Sequence, residues 1–107
     1  MRDKLADEEE DPTVRAEAAL ALGALCDTAA ETALTEHALR LADPQATEDQ
    51  RAIARNALAA LSAIRPVDLE QRIAKLRDKK APPVVQSLAQ AALSSPARCT
   101  RAAPKGR

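Results

Sequence analysis

The stretch from Asp11 to Cys26 constrains this chain more than any other, because it has the pattern of one helix with two apolar surfaces. Asp11 can cap the first turn, and Pro12 at the first helical position loses no hydrogen bond. At about 100° per residue, one stripe collects the apolar side chains of Val14, Ala18, Ala21, Leu22 and Leu25. Leu20 and Ala24 lie outside that stripe and need a second neighbour. We therefore predict that this helix is one member of a stack.

The composition favours an all-α fold over any sheet-based fold. The 107 residues include no Phe, Tyr or Trp, and 26 alanines together with leucine, isoleucine and valine supply the apolar content. Alanine and leucine are strong helix formers, and β-branched residues are sparse. Since small side chains bury little area, we expect one domain with a thin core.

Proline and acidic residues divide the chain into a stub and five helices. We predict a stub over residues 1–7, helices over 12–27, 28–42, 48–64, 67–79 and 83–94, and a disordered basic tail over 95–107. The later helices have core stripes at Ala30, Leu34, Ala38 and Leu41, at Ile53, Ala57, Ala60, Leu61 and Ile64, at Leu69, Ile73 and Leu76, and at Val85, Leu88, Ala89 and Ala92.

A weak repeat runs through this order. Leu5-Ala6-Asp7 recurs as Leu41-Ala42-Asp43 and as Leu76-Arg77-Asp78, and each copy is followed by a turn and a helix. A helix pair of this kind cannot cover its own apolar faces, whereas stacked pairs can. We predict a short α-solenoid of antiparallel helix pairs. Its first pair lacks most of the leading helix, which indicates a fragment, a split gene product or a helix supplied by a partner.

The opening helix resembles the second helix of HEAT repeats, and most closely the short phycobilisome-lyase-type variant. That family's pattern is matched by Asp11, Pro12, Val14, Arg15, Ala18, Ala21, Leu22, Gly23 and Leu25. A looser copy has Asp49, Arg51, Ala54, Leu58 and Leu61, and the third copy departs further. The resemblance implies about two and a half HEAT-like repeats over residues 1–94, in an armadillo-type arrangement. Tetratricopeptide and ankyrin signatures are absent from the sequence.

The resemblance also implies a function and a binding face. In the HEAT family, Asp and Arg near the turn form a ladder between repeats, which here would use Asp11 with Arg15 and Asp49 with Arg51. Second helices line the inner surface, where residues pointing away from the core are Leu20, Arg55, Ser62, Ser87 and Gln90. We expect a non-catalytic scaffold that binds a peptide or a larger protein there. Two alternatives stay open: a structural segment of a condensin-like chromosome complex, and an accessory subunit of a lyase-type enzyme.

Charge is distributed unevenly although the formal net charge is zero. Residues 1–50 hold 13 acids and 4 bases, and residues 51–107 hold 3 acids and 12 bases. Solvated helix faces explain this, and end-to-end self-association is an alternative. The best basic patch is Arg72, Lys75, Lys79 and Lys80. We do not expect it to bind nucleic acid, because the first half is acidic and no aromatic platform exists for base stacking.

The sequence provides no basis for catalysis, a cofactor or a metal. His37 is the single histidine, and a metal site needs three or four ligands. The run Glu8-Glu9-Glu10-Asp11 has the pattern of a solvated helix start, since carboxylates favour that end of a helix.

Two cysteines and the lack of long apolar runs bear on the compartment. Cys26 and Cys99 suggest no framework of bridges, so we expect a reducing compartment, with Cys26 as a small buried residue. We expect no transmembrane helix and no signal peptide, because no apolar run is long enough and the N-terminus is acidic. These features predict a cytoplasmic protein, with a nuclear one as the alternative.

Overall fold

The computed structural model describes residues 1–99, and all regular structure in that range is helical. The α-helices of this range are α1 (Arg2–Ala6), α2 (Pro12–Ala24), α3 (Glu31–Ala38), α4 (Glu48–Ile64), α5 (Leu69–Arg72), α6 (Ala74–Arg77) and α7 (Pro83–Ser94). Short 3₁₀ segments, Thr28–Ala30 and Leu39–Ala42, extend α3 at both ends. The all-α prediction is confirmed. None of the helices in the described range combines the length and apolarity needed to cross a bilayer.

The two long central helices begin at the caps that the sequence predicts. The Asp11 carboxylate accepts a hydrogen bond of 2.7 Å from the Thr13 N–H, and Pro12 opens α2. At α4, Thr47 and Gln50 form a capping box with distances of 2.9 and 3.1 Å. Each cap satisfies backbone donors that the first turn of a helix leaves without a partner.

Both helices end at a residue with left-handed backbone. Cys26 has φ 56°, and the N–H groups of Cys26 and Asp27 reach back to the carbonyls of Gly23 and Leu22 at 3.1 and 3.0 Å. This is a Schellman ending, in which the left-handed position favours glycine. Arg65 has φ 60° and ends α4, and the following Pro66 has no N–H to continue the helix. Neither left-handed residue is a glycine.

The helices pack as neighbouring pairs. α1 contacts α2, α3 contacts α4, and α6 contacts α7, while α4 also contacts α2 and α7. The Cα extents are 45 × 34 × 16 Å. Since packed helix axes lie about 8–10 Å apart and Cα atoms lie about 2.3 Å from each axis, the thinnest dimension fits two helix layers and no third.

The predicted core stripes of α4 and of the segments before and after it are confirmed. Every predicted stripe residue from Ala30 to Ala92 is buried except Leu88, which is half-buried. In α2 the buried face is rotated from the predicted one. Leu25 is 66% exposed, and Ala16, Ala19 and Gly23 are buried instead. Leu25 is exposed because it already belongs to the turn that ends α2. The other side of α2 is buried because α4 packs there, with Gly23 against Ala60.

The predicted helix over residues 67–79 is divided into α5 and α6, so the described range has seven α-helices where five and a stub were predicted. The break lies at Ile73, whose backbone leaves the helical region at φ −108° and ψ 19°. Leu69, Ile73 and Leu76 are nevertheless all buried. Helices of four residues are not stable alone, so contacts with the core hold this segment in place.

Residues 95–99, here named the C-terminal strap, contradict the predicted disordered tail over that range. The N–H groups of Arg98 and Cys99 both donate to the Ala63 carbonyl, at 3.1 and 3.0 Å. The strap therefore passes over the C-terminal end of α4. Residues 100–107, the rest of the predicted tail, lie outside the described residues.

The two cysteines form a disulfide, which overturns the expectation that they are unpaired. Cys26 and Cys99 are 73 positions apart, and their Cα atoms are 5.6 Å apart, a distance that a disulfide spans. Cys26 is exposed and Cys99 is buried, the reverse of the predicted arrangement. Because disulfides persist mainly in oxidising compartments, these two cysteines do not indicate a reducing cytoplasm.

Candidate interaction groove

A depression lies between α2, α4 and α7, and we name it the central groove. Its volume is about 680 Å³. The lining includes Leu20 and Ala24 of α2, Arg55, Ala59 and Ala63 of α4, Leu88 and Ala91 of α7, and Ser95, Pro96 and Arg98 of the C-terminal strap. The three helices present small side chains along the floor, and two leucines lie at the sides.

Apolar side chains face solvent in this groove. Leu20 is 50% exposed, and Ala24, Ala59 and Ala91 are exposed as well. Within α4, the groove residues follow the helical period, since Arg55, Ala59 and Ala63 are four residues apart. An apolar surface bordered by charged residues is typical of a protein-binding site.

A second depression continues from the first and is named the distal groove. Its volume is about 480 Å³, and it shares Arg55 and Leu88 with the central groove. The remaining lining residues include Leu41, Asp43, Arg51, Lys80 and Val84. Val84 is exposed. Together the two grooves follow α4 and α7 along most of their lengths.

The charge of the combined grooves is positive. Four of the lining residues are cations and one is a carboxylate; the cations are Arg51, Arg55, Lys80 and Arg98. Glu48 lies beside Arg51 and Arg55, with N–O distances of 3.6 and 3.9 Å. Its side chain is 77% exposed, so these long surface pairs contribute little and leave the arginines available to a ligand.

The predicted contact residues divide into three groups. Leu20 and Arg55 line the central groove and are exposed. Ser62 also borders it but is 9% exposed, and its hydroxyl donates to the Ala92 carbonyl at 3.0 Å. Ser87 and Gln90 lie on another side of α7, where they line a separate cleft. Ser62 therefore joins α4 to α7, whereas Leu20 and Arg55 face the groove.

The residues of the predicted basic patch differ in exposure and in their contacts. Arg72 is 23% exposed, its Nε lies 2.7 Å from Asp68, and it also contacts Glu31 and Thr35 of α3. It thus joins α5 to α3. Lys75, Lys79 and Lys80 are exposed, and Lys80 lines the distal groove.

Several groove residues are not among the contacts that the sequence predicts. The sequence predicts Leu88 in the core stripe of its helix and Arg98 in the tail. Val84 and Arg51 are not predicted as contacts. Val84 and Leu88 are four residues apart, so they form an apolar pair on α7 beside the core-facing pair Val85 and Ala89. This spacing is a sequence signal from which the pair can be predicted.

His37 lies in a different cleft, between α1 and α3. Burial lowers the pKa of His37 below its usual 6.5, and the neighbouring guanidinium groups of Arg15 and Arg40 lower it further. Arg15 is engaged, because its Nε and Nη2 donate to the Leu5 carbonyl at 3.0 and 2.9 Å. No group of three or more His, Cys, Asp or Glu side chains in residues 1–99 is placed to hold a metal ion.

Comparison of the chain with protein-family models, with curated proteins and with solved structures finds no match.

Proposed function

We propose that this chain is a non-catalytic protein-interaction scaffold of HEAT-like helix pairs, and that a segment of a partner protein binds in the central groove. The observation that carries the proposal is the combination of exposed Leu20, half-buried Leu88 and a floor of alanines with arginines beside them. An apolar surface of this kind favours a ligand that covers it.

The helix contacts support the HEAT-like interpretation. The pairs α1–α2, α3–α4 and α6–α7 match the predicted units, and α4 contacts the second helix of the unit before it and of the unit after it. A face built from second helices is the inner surface of such a stack. One detail differs from the family: Arg15 donates to the Leu5 carbonyl, and Asp11 accepts from Thr13, so these two residues cap helices within one unit.

The polar groups of the groove support binding over catalysis. Arg55 and Arg98 are permanently charged donors that cannot act as bases at neutral pH. The Ser62 hydroxyl is engaged with the Ala92 carbonyl, and the Ser95 hydroxyl donates to the Ala91 carbonyl at 2.8 Å. Within residues 1–99, the hydrogen bonds of these two hydroxyls go to backbone carbonyls and not to a side-chain base of the kind that activates a nucleophile.

The test is a selection from a random peptide library displayed on phage, with the disulfide-bonded chain as the target. Selected peptides are then measured against two matched variants. Ala59→Arg places a large side chain on the groove floor, and Ala33→Arg makes the same change at an exposed alanine of α3, outside both grooves. We expect Ala59→Arg to abolish binding and Ala33→Arg to leave it unchanged. Failure to select peptides, or equal binding to both variants, would overturn the proposal.

A further inference from the structure

We infer that the occupant of the combined grooves is an acidic amphipathic helix and not an extended segment. This inference rests on the proposed function and specifies the chemistry of the partner. It follows from the hydrogen-bonding groups of the grooves, from the size of the floor residues and from the distribution of charge.

The hydrogen-bonding groups of the grooves favour a helical occupant over an extended one. An extended peptide has one free N–H and one free C=O per residue, and both need partners when they are buried. Peptide-binding sheets supply a strand edge, but these grooves are bordered mainly by helices, whose backbone groups bond within each helix. The long polar side chains of the central groove, Arg55 and Arg98, are donors only. They can donate to the carbonyls of an extended peptide but cannot accept from its N–H groups.

Two acceptors at the groove edges already have partners within the chain. Oδ1 of Asp43, which borders the distal groove, accepts from the Gln45 N–H at 2.8 Å. The Ser95 carbonyl accepts from the Arg65 guanidinium at 2.6 Å. A helix satisfies its own N–H groups and needs no such acceptors.

The shape of the floor suits a helix. Ala24, Ala59, Ala63 and Ala91 leave space above the three helices, and Leu20 and Leu88 border this space on opposite helices. An incoming helix can approach small residues closely and place its own larger apolar side chains between the leucines. From Arg51 to Ala63, α4 rises about 18 Å, so the surface accommodates a helix of roughly 12 residues at about 1.5 Å per residue.

The charges define the flanks of that helix. Arg51 and Arg55 lie one turn apart on α4, with Lys80 close to one end of the grooves and Arg98 at the other. A partner helix with Glu or Asp at positions i and i+4 beside its apolar stripe can pair with Arg51 and Arg55. Acidic residues at both ends can then meet Lys80 and Arg98.

The experiment characterises the peptides selected for the proposed function. Each is synthesised, and its binding and its circular dichroism are measured with and without the protein. We expect helical signal to rise on binding, and a central proline to reduce affinity at least roughly tenfold. Arg55→Glu reduces affinity for the acidic peptide roughly tenfold, and changing the facing glutamate of the peptide to arginine restores it. Arg40→Glu, an exposed control outside both grooves, leaves affinity unchanged.

The outcomes separate this inference from the proposal on which it rests. Selected peptides that need the groove but tolerate a central proline, or that bind without acidic residues and without sensitivity to Arg55→Glu, overturn the helical acidic occupant and leave the binding groove in place. Absence of any groove-dependent peptide overturns the proposed function itself.

Discussion

Gly23 and Ala60 bring α2 and α4 into direct backbone contact. A Cβ added to Gly23 would lie 2.6 Å from the Cα of Ala60 and 2.8 Å from its Cβ. Such distances require the helices to move apart, because the Ala60 Cα is backbone and cannot rotate away. The glycine of the Ala-Leu-Gly sequence therefore has a packing role at this crossing.

We predict that Gly23→Ala destabilises the fold. Overpacking costs about 1–3 kcal/mol, and the higher helix propensity of alanine offsets up to about 1 kcal/mol of this loss. Urea unfolding followed by circular dichroism measures the difference. The sign of this change in unfolding free energy tests the close contact. At an unhindered helix position Gly→Ala raises the unfolding free energy, so a rise for Gly23→Ala would contradict the contact.

Arg65 joins the ends of α4 and α7, and we predict that its side chain and its backbone have opposite effects on stability. The guanidinium donates to the carbonyls of Ala92 at 3.2 Å, of Ser95 at 2.6 Å and of Leu93. Arg65→Ala loses these charged hydrogen bonds at the end of α7 and should lower the unfolding free energy by about 2–3 kcal/mol.

Arg65→Gly is the matched control for the backbone. It loses the same hydrogen bonds but relieves the left-handed conformation at φ 60°, so it should be more stable than Arg65→Ala by up to about 1 kcal/mol. Equal stability of the wild type and both variants in chemical denaturation would show that the guanidinium contacts do not stabilise the end of α7.

The disulfide should be a large contributor to stability. Cys26 and Cys99 close a loop of 73 positions, for which the chain-entropy model gives about 4 kcal/mol. We predict that a reducing agent lowers the melting temperature of the wild type and leaves that of a Cys26→Ala/Cys99→Ala variant unchanged. A wild-type melting temperature that is the same with and without reductant would contradict this contribution.

The turn at Cys26 allows a further comparison. Cys26→Gly/Cys99→Ala also lacks the disulfide, but glycine suits the φ of 56° at this position better than alanine does. This variant should be more stable than Cys26→Ala/Cys99→Ala by about 1 kcal/mol, as measured by urea unfolding. An equal or lower stability would show that the left-handed turn is not retained once the bridge is removed.

Local sequence signals predicted the helices and most of the core. Asp11 and Thr47 are side-chain caps whose effect extends over one turn, and the stripe from Ile53 to Ile64 follows from the helical period alone. The end of a helix is harder to predict than its start. Leu25, for example, continues the apolar period of α2 but lies in the turn that ends this helix. Such an ending is recognised most easily when glycine occupies the left-handed position, and here it is Cys26.

Contacts between distant residues could not be predicted from local patterns. Cys99 pairs with Cys26 because the C-terminal strap passes over α4, and this path depends on the packing of all three helices. Ser62 faces away from the predicted core stripe, yet it is buried because α7 packs against that side of α4. The exposure of Leu20 and Arg55 could be predicted, because a residue off the buried stripe of a helix is exposed unless another element covers it.

The final prediction concerns pH. Burial and the nearby Arg15 and Arg40 lower the pKa of His37, while Glu36 and Glu8 act in the opposite direction more weakly. The unfolded chain therefore binds this proton more readily than the folded chain. The unfolding free energy should decrease as the pH falls from about 6.5 toward the folded pKa of His37, and this histidine should have no effect on stability at higher pH.

His37→Gln is the control, because glutamine keeps a polar side chain and does not titrate. The decrease between neutral pH and the folded pKa should be smaller in this variant than in the wild type, as measured by urea unfolding at several pH values. Titration of the wild-type histidine by NMR should give a midpoint below 6.5, and Arg40→Gln should move that midpoint upward by removing one of the charges that lower it. A midpoint at or above 6.5 would show that the imidazole is solvated, and a midpoint that does not respond to Arg40→Gln would show that Arg40 does not lie close to it.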